Sequence, residues 1–166
     1  MQERPEIQPD LISDKPLVFE GTVDIDEVPR LAESLATPEM QLRYKVTARL
    51  DKRRRKVASC IIEGFVFLTC QTTLESFRHE ISIDERLVLV DDESALPPIE
   101  EESDAEDYLV PDGPVDVLEL VEDAILLALP MVPRKPGLGE ARGGRREEGH
   151  RESPFAALAS LKKRTE

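Results

Sequence analysis

The sequence predicts an α+β fold: an antiparallel β-meander or partly open barrel packed on a central helix at about residues 116–129. Three observations carry that prediction. Residues Met40–Leu50 alternate apolar and polar side chains, the period of a half-buried strand. Two further strand-like runs, Val57–Thr69 and Phe77–Val90, follow after short connections, the pattern of a meander. Finally, Pro114–Pro133 (PVDVLELVEDAILLALPMVP) is the longest stretch with helical apolar spacing, and it is closed at both ends by stop signals.

The helix comes first because the strands need something to cover. Asp116 is placed as its N-cap, with Glu119 three residues on in the second position of a capping box. Pro130 ends it, since proline lacks the amide hydrogen and clashes with the preceding turn. Val117, Leu120, Val121, Ala124, Ile125 and Ala128 recur on one side, whereas Glu119, Glu122 and Asp123 gather on another. The last turn, Ile125–Leu129, is apolar all round, so burial on more than one side is expected there. Leu127→Ala would then cost roughly 2–5 kcal/mol, against well under 1 if that end faces a partner.

In chain order, residues 1–14 read as a flexible arm and 15–133 as one α+β domain. Lys15–Asp24 has strand character, with Leu17, Phe19 and Gly21 facing one way. Asp24 or Asp26 can cap a short helix carrying Val28, Leu31 and Leu35, with Pro29 in its first turn. Gly64 suggests a bulge or bend in the Val57–Thr69 strand. Residues 91–113 are acidic and hold three prolines, the composition of an exposed mobile loop, in which Tyr108, Leu109 and Val110 can dock locally before the helix. Residues 134–152 read as a disordered linker and 153–166 as a short C-terminal helix, with Ser153 as cap and Phe155, Leu158 and Leu161 on one side. That helix can dock on a partner or pack on its own domain, and the pattern does not separate the two.

Charge narrows the function classes. A net charge of −13 and a pI near 4.7 exclude a protein that coats nucleic acid over its whole surface. The charge is uneven, however. Between Leu87 and Pro133 there are fourteen Asp and Glu and no Lys or Arg. The basic residues of the folded part concentrate at Lys52, Arg53, Arg54, Arg55 and Lys56, with Arg43, Lys45 and Arg49 on the wet face of the strand before them. That patch reads either as a phosphate-contacting hairpin tip or as a soluble turn that resists edge-to-edge association. Aromatic residues are only 4% and none lies within the Lys52–Lys56 run, so nothing suggests base-specific reading there.

Other chemistry is sparse. His79 and His150 are the only histidines, and no nucleophile elbow or phosphate-binding glycine loop is present. Cys60 and Cys70 are not spaced as metal ligands. No catalytic residue, metal or cofactor is expected, nor a small-molecule substrate. The start of the chain lacks the charged and apolar regions of a secretory signal, and no apolar run reaches spanning length, so a cytoplasmic protein without membrane association is expected.

Three segments resemble the bacterial YceD family, the large ribosomal RNA subunit accumulation proteins. Phe67–Glu75 (FLTCQTTLE) is similar to that family's strand-to-turn element built on C-Q-R-C-L. Val115–Pro133 follows its D-L-x-x-L-V-E-D-E-I-x-L-A-L-P-x-V-P signature through Asp116, Leu118, Val121, Glu122, Asp123, Ile125, Leu127, Ala128, Leu129, Pro130, Val132 and Pro133. Pro154–Lys162 (PFAALASLK) is like the P-F-A-x-L-A-S-L-K terminus of proteobacterial members. With the N-terminal strand and the order of elements, the resemblance covers nearly the whole chain. One departure is that Thr73 stands where the element has its second cysteine; the C-terminal cysteine cluster of some relatives is also absent.

The resemblance implies a non-enzymatic factor for accumulation of 23S rRNA and assembly of the large ribosomal subunit. The implied partners are a large-subunit precursor, 23S rRNA, and basic ribosomal or assembly proteins. The overall charge favours protein-mediated contact, by the acidic 91–113 stretch and the terminal helix, over direct RNA contact by the patch. The alternatives are a general acidic adaptor or chaperone for basic proteins, and a small hydrolase or nuclease built on His79.

Overall fold

The computed structural model describes residues 4–98 and 106–137. Strands β1 (Glu6–Ile7), β2 (Leu17–Thr22), helix α1 (Pro29–Ser34), β3 (Gln41–Leu50), β4 (Lys56–Thr69), β5 (Ser76–Leu89), β6 (Asp107–Leu109), β7 (Val115–Asp116) and helix α2 (Val117–Ala128) follow in order. One compact unit spans Met1–Lys135. The main sheet has the order β2-β3-β4-β5-β6. Its first four strands form the expected antiparallel meander, and two free edges leave it open rather than closed into a barrel.

Alternation does what the sequence predicts. Leu42, Val46 and Ala48 of β3 are buried, with Tyr44 half-buried between them, and Arg43, Lys45 and Arg49 are exposed. Cys60, Ile62, Val66 and Leu68 of β4 and Phe77, Ile81 and Ile83 of β5 complete the covered face. Across it lie Val117, Val121, Ala124 and Ile125 of α2, in one aliphatic core. Asp116 caps α2 as expected, its Oδ1 accepting the amide hydrogens of Leu118 (2.8 Å) and Glu119 (3.1 Å). Such a cap contributes about 1 kcal/mol. Among the described residues no helix is long and apolar enough to cross a membrane.

The structure corrects five expectations. Residues 4–12, assigned to a flexible arm, are built into the domain. Ile7 is fully buried, β1 pairs with β7, and Arg4 reaches Asp116 at 3.1 Å. An arm of two core-facing residues, Ile7 and Ile12, shows too little periodicity to be read as structure. The second correction concerns the acidic loop. Its residues 107–109 are a strand, β6, rather than a locally docked loop, and pair in parallel with β5 through Leu87–Asp107, Val88–Tyr108 and Leu89–Leu109. Three residues do not display a period, and a parallel partner gives no local signal.

Gly64 supplies the third. The ladder runs unbroken past it, Leu42 opposite on one side and Ile81 on the other, so no residue is bulged out. Glycine is needed instead for a φ of +146° and for room: a Cβ here would lie 1.9 Å from the Gln41 carbonyl oxygen. The fourth is Glu122, placed with the polar side but only 4% exposed. Its Oε1 accepts the Leu31 amide hydrogen at 3.0 Å and its Oε2 accepts from Arg30 Nε at 2.9 Å. Helix α1 has no side-chain cap of its own, so α2 supplies one.

The last turn of α2 is the fifth. Leu126 and Leu129 pack partly against the core, yet Leu127 is 80% exposed and Met131 fully so. Leu127→Ala is therefore expected to shift stability by less than about 0.5 kcal/mol, as for surface substitutions generally. Urea denaturation would check this; a loss above about 2 kcal/mol would place the side chain in the core after all.

Candidate functional site

The β3–β4 hairpin turn is built by one carboxylate. Asp51 Oδ1 accepts the amide hydrogens of Arg53 (2.8 Å) and Arg55 (2.9 Å), while the Asp51 carbonyl accepts from Arg54 (2.9 Å). These bonds, the backbone amide of Arg55 first, hold the Asp51 carboxyl down to about 2. Arg54 takes a left-handed conformation, φ 63°, that glycine or asparagine would adopt at less cost. Its strained backbone presents a cation at the tip.

Arg55 then folds back from the turn. It donates from Nε to Asp51 Oδ2 (2.9 Å) and from both terminal nitrogens to the two Glu106 oxygens (2.9 and 3.0 Å), a bidentate pair. Arg86 of β5 joins them, donating to Asp51 Oδ2 at 3.1 Å and placing Nε 3.0 Å from Glu106 Oε1. The Glu106 carboxyl is held below its ordinary value, chiefly by Arg55, and the Arg55 guanidinium is raised, chiefly by Glu106. Both groups stay ionised through the physiological range.

The other expected contact residues divide. Arg54 pairs with Asp14 (2.9 Å), Lys56 with Asp91 (2.6 Å) and Lys45 with Glu20 across the β2–β3 ladder (3.8 Å). Arg43, Arg49, Lys52 and Arg53 form no ion pair among the described residues, and all four are exposed. They are not one patch. Strands rise about 3.4 Å per residue, so Arg43 lies about 20 Å along β3 from Arg49. What does converge is a depression of about 830 Å³ at the tip, lined by Arg49, Lys52, Arg53, Arg55 and Arg86, with Asp51, Glu106 and Tyr108. Arg86 and Glu106 were not among the residues expected from sequence. Phe155, Leu158 and Leu161, expected to dock a partner, lie outside the described residues.

His79 is half-buried, edge-on to Phe77 with centroids 6.5 Å apart, and has no hydrogen bond to a carboxylate among the described residues. No group of three or more His, Cys, Asp or Glu is placed to hold a metal among the described residues. Burial, reinforced by Glu85, pushes the Cys60 thiol up to about 12. Cys70 is the opposite case. The Thr73 hydroxyl and then the amides of Lys135, Thr73 and Thr72 bring it from an ordinary 9.0 down to about 6. The Lys135 amide lies 3.4 Å from the sulfur. Thr73, the residue in place of a second cysteine, thus serves as a donor to the first.

A folded pKa below the unfolded one means that the thiolate stabilises the domain fully above about 9 and loses that contribution as pH falls through about 6. Thiolate absorbance of the native protein should therefore rise in a single early step near pH 6, with Cys60 silent. A Cys70→Ser variant should lack that step; a step near 9 in the wild type would contradict it.

Fold and site together describe a small α+β domain whose distinguishing face is a charged hairpin tip. A family model described as Large ribosomal RNA subunit accumulation protein YceD matches residues 58–162, more than half of the chain. The chain belongs to the YceD family. No solved structure gives a significant match.

Proposed function

We propose that this protein is a non-enzymatic, cytoplasmic ribosome-biogenesis factor that supports 23S rRNA accumulation by contacting the large-subunit precursor through the β3–β4 hairpin tip. The family supplies the connection to the large ribosomal RNA. The observation that carries the contact is the convergence of five cations, four from one hairpin and Arg86 from β5, on one open depression. Arginine and lysine around a concave surface match a phosphate backbone, and the contact is sequence-independent. The overall charge of −13 confines close approach to this tip. Arg43 and Lys45 take no part in this reading, because distance separates them from the depression.

A second reading has its own support: four of the eight expected contact residues (Lys45, Arg54, Arg55 and Lys56) already hold carboxylates of the same chain. On that reading the acidic remainder of the surface holds a basic ribosomal or assembly protein. One experiment separates them. Replacing Arg49, Lys52 and Arg53 by Ser removes rim cations and spares the Asp51–Arg55 framework. Direct contact predicts weaker binding to 23S rRNA fragments and a log–log salt slope shallower by about 2–3. Unchanged RNA binding, with capture of basic ribosomal proteins intact, would move the contact to the acidic surface.

A further inference from the structure

We propose that Arg55 and Arg86 form a phosphate site that the chain keeps occupied with its own Glu106 carboxylate, which RNA phosphate displaces. The inference rests on the hairpin tip being the RNA contact. Arginine binds a carboxylate and a phosphodiester with the same fork of parallel N–H donors. Glu106 meets Arg55 in that way, one oxygen to each terminal nitrogen at 2.9 and 3.0 Å. The fit to Arg86 is poorer. Its Nε lies 3.0 Å from Glu106 Oε1, but the alignment is too poor for a hydrogen bond, and the atom is buried without another partner. A buried donor left unsatisfied is costly. A tetrahedral phosphate offers oxygens outside the single plane of a carboxylate and can answer both guanidiniums.

The surroundings agree. Arg49, Lys52 and Arg53 line the same depression, and the Tyr108 ring is part of its wall. Asp51 remains bonded to the turn amides whether or not Glu106 leaves, so the arginines keep their position. Glu106 is carried next to β6, a strand of three residues on the sheet's edge. A tethered carboxylate competes at high effective concentration, which lowers the affinity for any isolated phosphate and favours a ligand that engages the rim cations as well. A −13 protein that binds RNA only where several phosphates are presented together follows from that competition.

The test is Glu106→Gln, which keeps shape and an acceptor but weakens the hold on Arg55. Fluorescein-labelled polyuridylate serves as the probe, with Glu119→Gln, at an exposed position of α2, as a control of equal charge change. Glu106→Gln should bind roughly three- to tenfold tighter than wild type, Glu119→Gln should not, and adding Arg86→Gln should cancel the gain. Equal tightening by both single variants would mean net charge alone and would overturn the site. If the Arg49/Lys52/Arg53 variant loses RNA while Glu106→Gln binds as wild type does, the tip contact stands and the displaced carboxylate fails. If no variant alters RNA binding, both fail. Should Glu106→Gln unfold, the wild type still decides: polyuridylate must shift the Nε–Hε resonances of Arg55 and Arg86, and unshifted resonances on a bound complex would overturn the site.

Discussion

Gly64→Ala should destabilise the domain by about 2–5 kcal/mol, the largest effect expected of adding a methyl group at any described glycine. Two costs add. A φ of +146° is strained for any L side chain, and the new carbon would sit 1.9 Å from the Gln41 oxygen, which is ladder backbone and cannot swing aside. Overpacking a rigid site costs about 1–3 kcal/mol and a wrong backbone region about 1–2. Chemical denaturation would read the sum. A loss under about 1 kcal/mol would mean that β3 and β4 part easily here, contrary to an unbroken ladder from Gln41 to Leu50.

Glu122→Ala should cost about 2–4 kcal/mol, more than truncating most surface carboxylates by several-fold. The side chain is buried and joins the two helices: one oxygen answers the Leu31 amide and the other Arg30. Alanine would leave that amide without its acceptor and free Arg30 to hold only Asp123, 2.7 Å away on the exposed side. Glu122→Gln should recover much of the loss, because it retains an acceptor for Leu31. If glutamine and alanine cost the same, the charge would matter more than the hydrogen bond.

These two residues mark where the sequence was legible. Strict alternation over ten residues made β3 readable, and an aspartate, a helical apolar stripe and a proline made α2 readable. Gly64 announced a special position, but not which one, because the close carbonyl belongs to a neighbouring strand. Glu122 looked like one of three solvated carboxylates, since its partners Arg30 and Leu31 stand some ninety positions away.

The site divides in the same way. The cluster Lys52–Lys56 was visible as composition. Arg86 was within reach of reasoning, since a meander turning between Thr69 and Ser76 sets β5 antiparallel to β4 and places Arg86 opposite Ser59, near the tip. Glu106 was not, because the parallel pairing of β6 depends on a long connection with no periodic signal. The exposed face of Arg43, Lys45 and Arg49 was correctly drawn as wet, but summing its charges with the tip treated a strand's length as a point.

We propose above all that the hairpin tip meets ribosomal RNA. Ultraviolet crosslinking in cells, followed by mass spectrometry of the crosslinked peptides, tests it most directly. Direct contact predicts 23S rRNA nucleotides attached to peptides containing residues 49–56 and 86. Crosslinks from this protein to basic ribosomal or assembly proteins alone, with no nucleotide on those peptides, would contradict it.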